Sequence, residues 1–223
     1  MNEKRFHLLL QLMRETNLFR VKGSINKIEI TKRAVKYTIA TDGGNGRSER
    51  LEFVDIAPRD VVTKKIPFNI KDRVTLEGHI QDRRFVDRKM GNKRYEKSFV
   101  IDNIEHTKRL LLEKFEDIEL STEGGYPQDE NHVLIVGVVT HVYQPTSTVT
   151  ILTVRVGDGE FYNYCDVICY KKQAETAAKL KEGDYALTVG YMTISHSNKT
   201  NKDVQVVTCK DIARVAPEKI EKN

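Results

Sequence analysis

Alternating apolar and polar positions organise this chain. From Val74 to Ile104, VTLEGHIQDRRFVDRKMGNKRYEKSFVIDNI alternates twice: Val74, Leu76 and Ile80 on the way out, Tyr95, Phe99 and Ile101 on the way back. The pattern predicts two antiparallel strands joined by a long hairpin turning at Met90-Gly91-Asn92. FRVKGSINKIEI and RAVKYTIATD supply two earlier strands, the second half-buried because Val35, Tyr37 and Ile39 alternate with Lys36 and Thr38. LEFVDIAPR supplies a third, with Val54 and Ile56 on one face and Phe53, Asp55, Ala57 and Arg59 on the other. Pro58 limits that strand or puts it at an edge. The Gly-rich loop from Gly43 to Arg50 has no Gly-Lys-Ser/Thr, so it reads as a hairpin connection and not a phosphate loop. Helical spacing occurs in residues 3–15 (Phe6, Leu9, Leu10, Met13) and 107–119 (Leu110, Leu111, Phe115, Ile118).

The second half repeats the first. HVLIVGVVTHVY aligns with FRVKGSINKIEI, Gly137 standing for Gly23. VTILTVRVGD, FYNYCDVICY, ALTVGYMTIS and DVQVVTCKDIARV follow as strands, with a short helical segment in AETAAKLKEGD. Asp72/Gly78 and Asp184/Gly190 fall in register. Two copies of a unit of roughly 90 residues account for the length better than one large domain. Tyr185, Leu187 and Val189 run one residue out of phase with Val74 and Leu76, which requires a bulge or a strand covered on both faces. The expected fold is all-β: two tandem OB-fold five-stranded barrels with short flanking helices. The expected domains are residues 1–106, a helix and turn-rich acidic linker over 107–131, and residues 132–223.

Charge refines this picture because it is uneven. The net charge is +5, but residues 1–106 carry 23 Lys/Arg against 15 Asp/Glu, whereas 107–223 carry 14 against 17. The excess is concentrated in the hairpin, where Arg83, Arg84, Arg88, Lys89, Lys93, Arg94 and Lys97 surround Phe85 and Tyr95. Cations track phosphates and rings stack on bases, so this suits a single-stranded nucleic acid. A solvated charged face is the plainer alternative. In the second copy, alternation puts Tyr164, Asp166, Ile168 and Tyr170 on one face, leaving Cys165, Val167 and Cys169 for the core. The three cysteines, Cys165, Cys169 and Cys209, have no metal-ligand spacing and form no even disulfide set; reduced core thiols in a cytoplasmic protein are expected. No metal or cofactor is expected, and no apolar run approaches the roughly 18 residues of a membrane span.

The hairpin resembles the bacterial and phage single-stranded DNA-binding protein family. KDRVTLEGHIQDRRFVDRKMGNKRYEKSFVIDNI is similar to that family's Lys-Gly-Asp-x-Val-x-Val-Glu-Gly strand, Arg-x-Arg-x-Trp hairpin and Gly-x-x-Arg-Tyr return, with looser likeness over 17–106 and 132–215. The resemblance puts the hairpin's base-stacking ring at Phe85 and the stacking position of strand three at Phe53, with Tyr164 as its counterpart in the second copy. A second stacking position falls on Tyr170, and in the first copy on Arg59, a departure. Ser197 stands where Phe85 would recur, and the chain ends PEKIEKN, without the family's acidic, Phe-ended tip, so partner recruitment through such a tip is not expected. The resemblance implies sequence-tolerant single-stranded DNA binding in replication, recombination or repair, without catalysis, and a homodimer of four OB units. RNA binding and a pure assembly role for the second copy are the alternatives. A nuclease would need clustered acids with catalytic arginines, and no such cluster is evident. The six histidines are scattered without ligand spacing.

Overall fold

The computed structural model describes residues 15–31, 34–43, 48–56, 66–86, 93–107, 129–157, 162–197 and 201–215; between 83 and 96 it describes backbone only. The first five strands are β1 (Thr16–Ile30), β2 (Val35–Asp42), β3 (Ser48–Asp55), β4 (Arg73–Val86) and β5 (Lys93–His106). The next are β6 (Glu130–Thr146), β7 (Val149–Val156), β8 (Asn163–Tyr170), β9 (Tyr185–Ser197) and β10 (Lys202–Val215), with helix α1 (Lys172–Ala177) between β8 and β9. The helices expected in 3–15 and 107–119 lie outside the described residues, apart from Glu15 and Thr107.

The strands close into two barrels with one connectivity. β1 pairs with β2 and β4, β2 with β3, β3 in parallel with β5, and β5 with β4. β6 to β10 repeat this order, β8 and β10 forming the parallel pair. This is the expected all-β architecture of two five-stranded OB barrels. Period-2 alternation drives it: Val21, Ile39, Leu51, Phe53, Val74 and Leu76 fill the first barrel, and Ile135, Leu152, Val154, Cys165 and Val167 the second. The phase problem in β9 resolves without a bulge. Ala186, Thr188, Gly190 and Met192 point inward, matching Val74, Leu76, Gly78 and Ile80, and Leu187 is buried on the opposite face. Both faces are therefore covered there.

The repeated glycines set how closely the strands approach. A Cβ on Gly78 would lie 1.9 Å from the Val100 carbonyl oxygen and 2.6 Å from the Phe19 ring; one on Gly190 would lie 2.2 Å from the Thr208 carbonyl oxygen. A Cβ on Gly23 or Gly137 would lie 2.3 or 2.2 Å from the carbonyl oxygens of Ala40 and Arg155. The aspartates in register also do one job twice. Asp72 accepts the Asn69 N–H at 2.8 Å and Asp184 the Lys181 N–H at 2.9 Å, each closing a turn before its strand. In both turns the preceding residue donates its N–H to the first strand of its barrel, Lys71 to the Ile25 carbonyl and Gly183 to the Val139 carbonyl. Both have positive φ, 77° for Lys71 and 91° for Gly183. The second copy has glycine there and the first a lysine, which bears the steric cost.

Two compact units emerge, and each is interleaved in sequence: Leu18–His132 with Tyr191–Val206, and Met1–Asn17 with Val133–Gly190 and Val207–Asn223. Within the first unit, the Asn131 side chain donates to the carbonyls of Asp42 and Met192, both at 2.8 Å, and accepts the Met192 N–H at 2.9 Å. Gln205 Oε1 accepts the Glu52 N–H at 2.7 Å. Burial works against the Glu130 charge, but the ammonium of Lys22 and the guanidinium of Arg20 hold its carboxyl below its ordinary value.

The glycine geometry predicts opposite outcomes for two substitutions in the first barrel. Gly78→Ala should lower unfolding free energy by about 3 kcal/mol, the upper end for overpacking, because backbone must move to admit the methyl group. Lys71→Gly should leave stability unchanged or raise it by up to about 1 kcal/mol, since relief of positive φ exceeds the added chain entropy. Urea denaturation of both variants beside the wild type checks this; a Gly78→Ala variant as stable as the wild type would contradict the close approach.

Candidate nucleic-acid interface

In an OB barrel the outer face of the second and third strands is the surface open to a ligand. On the second barrel, register fixes which side chains share that face. Arg155 of β7 lies opposite Tyr164 of β8, Thr153 opposite Asp166, Ile151 opposite Ile168, and Val149 opposite Tyr170. β6 extends these rows, with Tyr143 opposite Ile151 and Val138 opposite Arg155. Tyr143 is 54% exposed, Tyr170 42% and Tyr162 39%. The Arg155 guanidinium sits over the Tyr162 ring, 4.5 Å from its centroid, a cation–π contact. Thr153 donates its hydroxyl to Asp166 at 2.8 Å, holding the one acid of these rows to the sheet. The result is a sheet face of tyrosine rings and branched aliphatics with a single guanidinium, a surface on which flat apolar faces can lie.

The same register corrects the assignment in the first copy. With Gly23 matched to Gly137, Ala40 corresponds to Arg155, so Arg50 corresponds to Tyr164 and Ile56 to Tyr170. Phe53 corresponds to Val167. It is 0% exposed, in the barrel core, with its ring 5.2 Å from that of Phe19 and 6.4 Å from that of Phe99. A ring packed on two others at that depth cannot stack on a base, and the expectation for Phe53 is overturned. The outer face of β2 and β3 carries Lys36, Thr38, Ala40, Arg50, Glu52 and Val54, with no ring among them. Tyr164 and Tyr170, by contrast, lie on the outer face as alternation indicated, and the three cysteines are buried. Contact with Cys169 and burial push the Cys209 thiol up, and its Sγ donates to the Asp211 carbonyl at 3.3 Å, so it stays a protonated core group.

The basic hairpin is present as backbone. Register partners are Arg83 with Glu96, Arg84 with Tyr95, Phe85 with Arg94 and Val86 with Lys93. Arg59, Arg88 and Lys89 lie outside the described residues. Sequence reasoning missed Tyr143, Tyr162 and Arg155. Extending the Gly23/Gly137 alignment through strand pairing, rather than strand by strand, could have found Arg155 and Tyr143.

At the edge of this face, Tyr185 of β9 continues the row of Val138, Arg155 and Tyr164. Its hydroxyl donates to Glu15 Oε1 at 3.0 Å, and Glu15 Oε2 accepts the Gly157 N–H at 2.8 Å. Burial and the Glu15 carboxylate raise the Tyr185 phenol above its ordinary value, with Arg155 opposing.

No family model matches the chain, and no curated protein matches it in sequence. Solved structures do match. The wild-type single-stranded DNA binding protein from Thermus aquaticus aligns with a TM-score of 0.61 and 17% identity, over 95% of this chain and 98% of that one. A deletion mutant of the same protein gives 0.62 and 17%, over 94% and 99%. The fold is shared. The likeness runs through nearly the whole of both chains, so both barrels take part in it. Among the described residues, no group of three or more His, Cys, Asp or Glu could hold a metal ion, and no helix is long and apolar enough to cross a membrane.

Placement of the rings predicts a stability contrast. Phe53→Ala should cost about 3–5 kcal/mol, the usual range for emptying a buried Phe site. Tyr170→Ala should stay within about 0.5 kcal/mol of the wild type, as an exposed residue does. Parallel chemical denaturation of the two variants measures this; similar losses for both would place Tyr170 in the core.

Proposed function

We propose that this chain binds single-stranded DNA, largely without regard to sequence, and performs no catalysis on it. The observation that carries the reading is the set of exposed tyrosines with Arg155 on the outer face of β6, β7 and β8. Every base has a π-face, so tyrosines on a sheet accept bases without reading their edges, and Arg adds a cation–π contribution. Tyr143, Tyr162, Tyr164 and Tyr170 are the stacking residues of this reading, and Arg155 is its cation on that barrel. The first barrel contributes charge. Arg83, Arg84, Arg88, Lys89, Lys93 and Arg94 of its hairpin are assigned to backbone phosphates, and Phe85 and Tyr95 to bases. Support also comes from the architecture shared with the Thermus aquaticus single-stranded DNA binding protein. The process served is replication, recombination or repair, in the cytoplasm, by a homodimer presenting four barrels.

Oligo-dT titration of the intact chain tests the reading. Duplex of equal length should bind more weakly, because its bases are already stacked. Tyr143→Ala and Tyr170→Ala should each weaken oligo-dT binding by roughly 1–3 kcal/mol, the worth of one base–aromatic stack. Preference for oligo-rU over oligo-dT would move the ligand to RNA. Binding of duplex as tight as oligo-dT, unaffected by either tyrosine, would remove the proposal.

A further inference from the structure

At the edge of the tyrosine face, one of the chain's own carboxylates occupies a seat built for an oxyanion. Glu15 presents both oxygens to donors of the second barrel: Oε2 to the Gly157 N–H at 2.8 Å and Oε1 to the Tyr185 hydroxyl at 3.0 Å. Glu15, Gly157 and Tyr185 belong to one compact unit. The seat adjoins the stacking surface, because Tyr185, Val138, Arg155 and Tyr164 form a single transverse row across β9, β6, β7 and β8. Gly157 directly follows the end of β7, two residues beyond Arg155. The Arg155 guanidinium is held over Tyr162, and its Nε finds no hydrogen-bond partner among the described residues. Two neutral donors and a nearby guanidinium are a general recipe for binding a phosphate, whose two non-bridging oxygens copy the spacing of a carboxylate.

We infer that this seat takes a phosphodiester of the bound single strand, and that Glu15 is an intramolecular placeholder which the strand displaces. The inference rests on the single-stranded DNA reading above. A strand laid along Tyr164 and Tyr162 brings its backbone beside the row of Arg155 and Tyr185, where a phosphate can take over the Gly157 N–H and the Tyr185 hydroxyl. The exchange is one anion for another, with no bond made or broken. While Glu15 is seated its negative charge repels the incoming backbone, and a strand must break two hydrogen bonds to open this gate. Such a gate raises the threshold for short or weakly held strands more than for long ones, which have other contacts to offset it.

The test uses the full-length chain, titrated with oligo-dT between about 50 and 200 mM salt. Glu15→Gln should tighten binding at the low-salt end roughly tenfold, as expected when an ionic competitor for charge-assisted hydrogen bonds is removed. Its log–log salt slope should change by less than about 0.7, the worth of one phosphate contact on a single strand, because the wild-type strand reaches the same seat once Glu15 is displaced. Glu175→Gln, an equal charge change on exposed α1, controls for net charge and should not tighten binding. In the double variant Glu15→Gln/Tyr185→Phe most of the gain should disappear, because the phosphate loses one of its donors. Thermal melting of each variant keeps all titrations below unfolding. If the wild type binds oligo-dT and Glu15→Gln binds no better, Glu15 only anchors its segment; the placeholder is overturned and the single-strand reading stands. A gain that survives Tyr185→Phe intact, or that Glu175→Gln reproduces, also overturns the seat. If neither wild type nor Glu15→Gln binds oligo-dT, both fall. If only Glu15→Gln binds, the gate is confirmed and closed by default.

Discussion

Close backbone approach at four glycines is the constraint on which the rest of the structure depends. A five-stranded barrel this small closes only if its strands bend sharply, and bending brings the carbonyl of one strand against the Cα of another. Gly23 and Gly78 in the first barrel, and Gly137 and Gly190 in the second, leave that space empty. At Gly78 the vacancy also receives the edge of Phe19, so the aromatic cluster of Phe19, Phe53 and Phe99 relies on the same missing side chain. Closure then decides what faces outward. Once inward positions are filled by Phe53 in one copy and by Val167 with its cysteine neighbours in the other, the alternate residues become the outer surface.

Most of the fold was legible in the sequence, because strand alternation and repeated glycines are local signals. The Gly23/Gly137 and Gly78/Gly190 matches located both copies, and the Asp72/Asp184 match located a turn that recurs bond for bond. The site was less legible, for a physical reason visible in β3. Alternation splits a strand into two faces but does not say which one the barrel buries, and a slip of one residue exchanges them. Phe53 is an aromatic residue near a family stacking position, yet its cross-strand partner Tyr37 and, two residues back on its own strand, Leu51 are core residues. In β8 the choice was easier, since three small apolar residues, Cys165, Val167 and Cys169, mark the buried side. Tyr143 and Arg155 escaped notice because their membership of the face depends on pairing between strands, which no single strand displays.

The two copies have diverged in chemistry while keeping one framework. Where the second barrel has Arg155, Tyr164, Ile168 and Tyr170, the first has Ala40, Arg50, Val54 and Ile56. Charge follows the opposite trend: +8 over residues 1–106 and close to neutral over 132–223. A polyanion with exposed bases offers two separable handles, long-range charge and short-range stacking. On the proposed reading the two handles are divided between barrels, and each outer face can change without disturbing the inward residues that close it.

The interleaving of the compact units bears on how the chain is made. Chains emerge from the ribosome N-terminus first, and domains contiguous in sequence can fold as they appear. Here the unit containing the first barrel also includes Tyr191–Val206, and the Glu52 N–H waits for a partner 153 residues downstream, Gln205. A nascent chain that has reached His132 holds all five strands of its first barrel but lacks the segment that completes that unit. Its final consolidation waits on a segment made only after β6, β7 and β8, and the Glu52 N–H lacks its Gln205 partner until then.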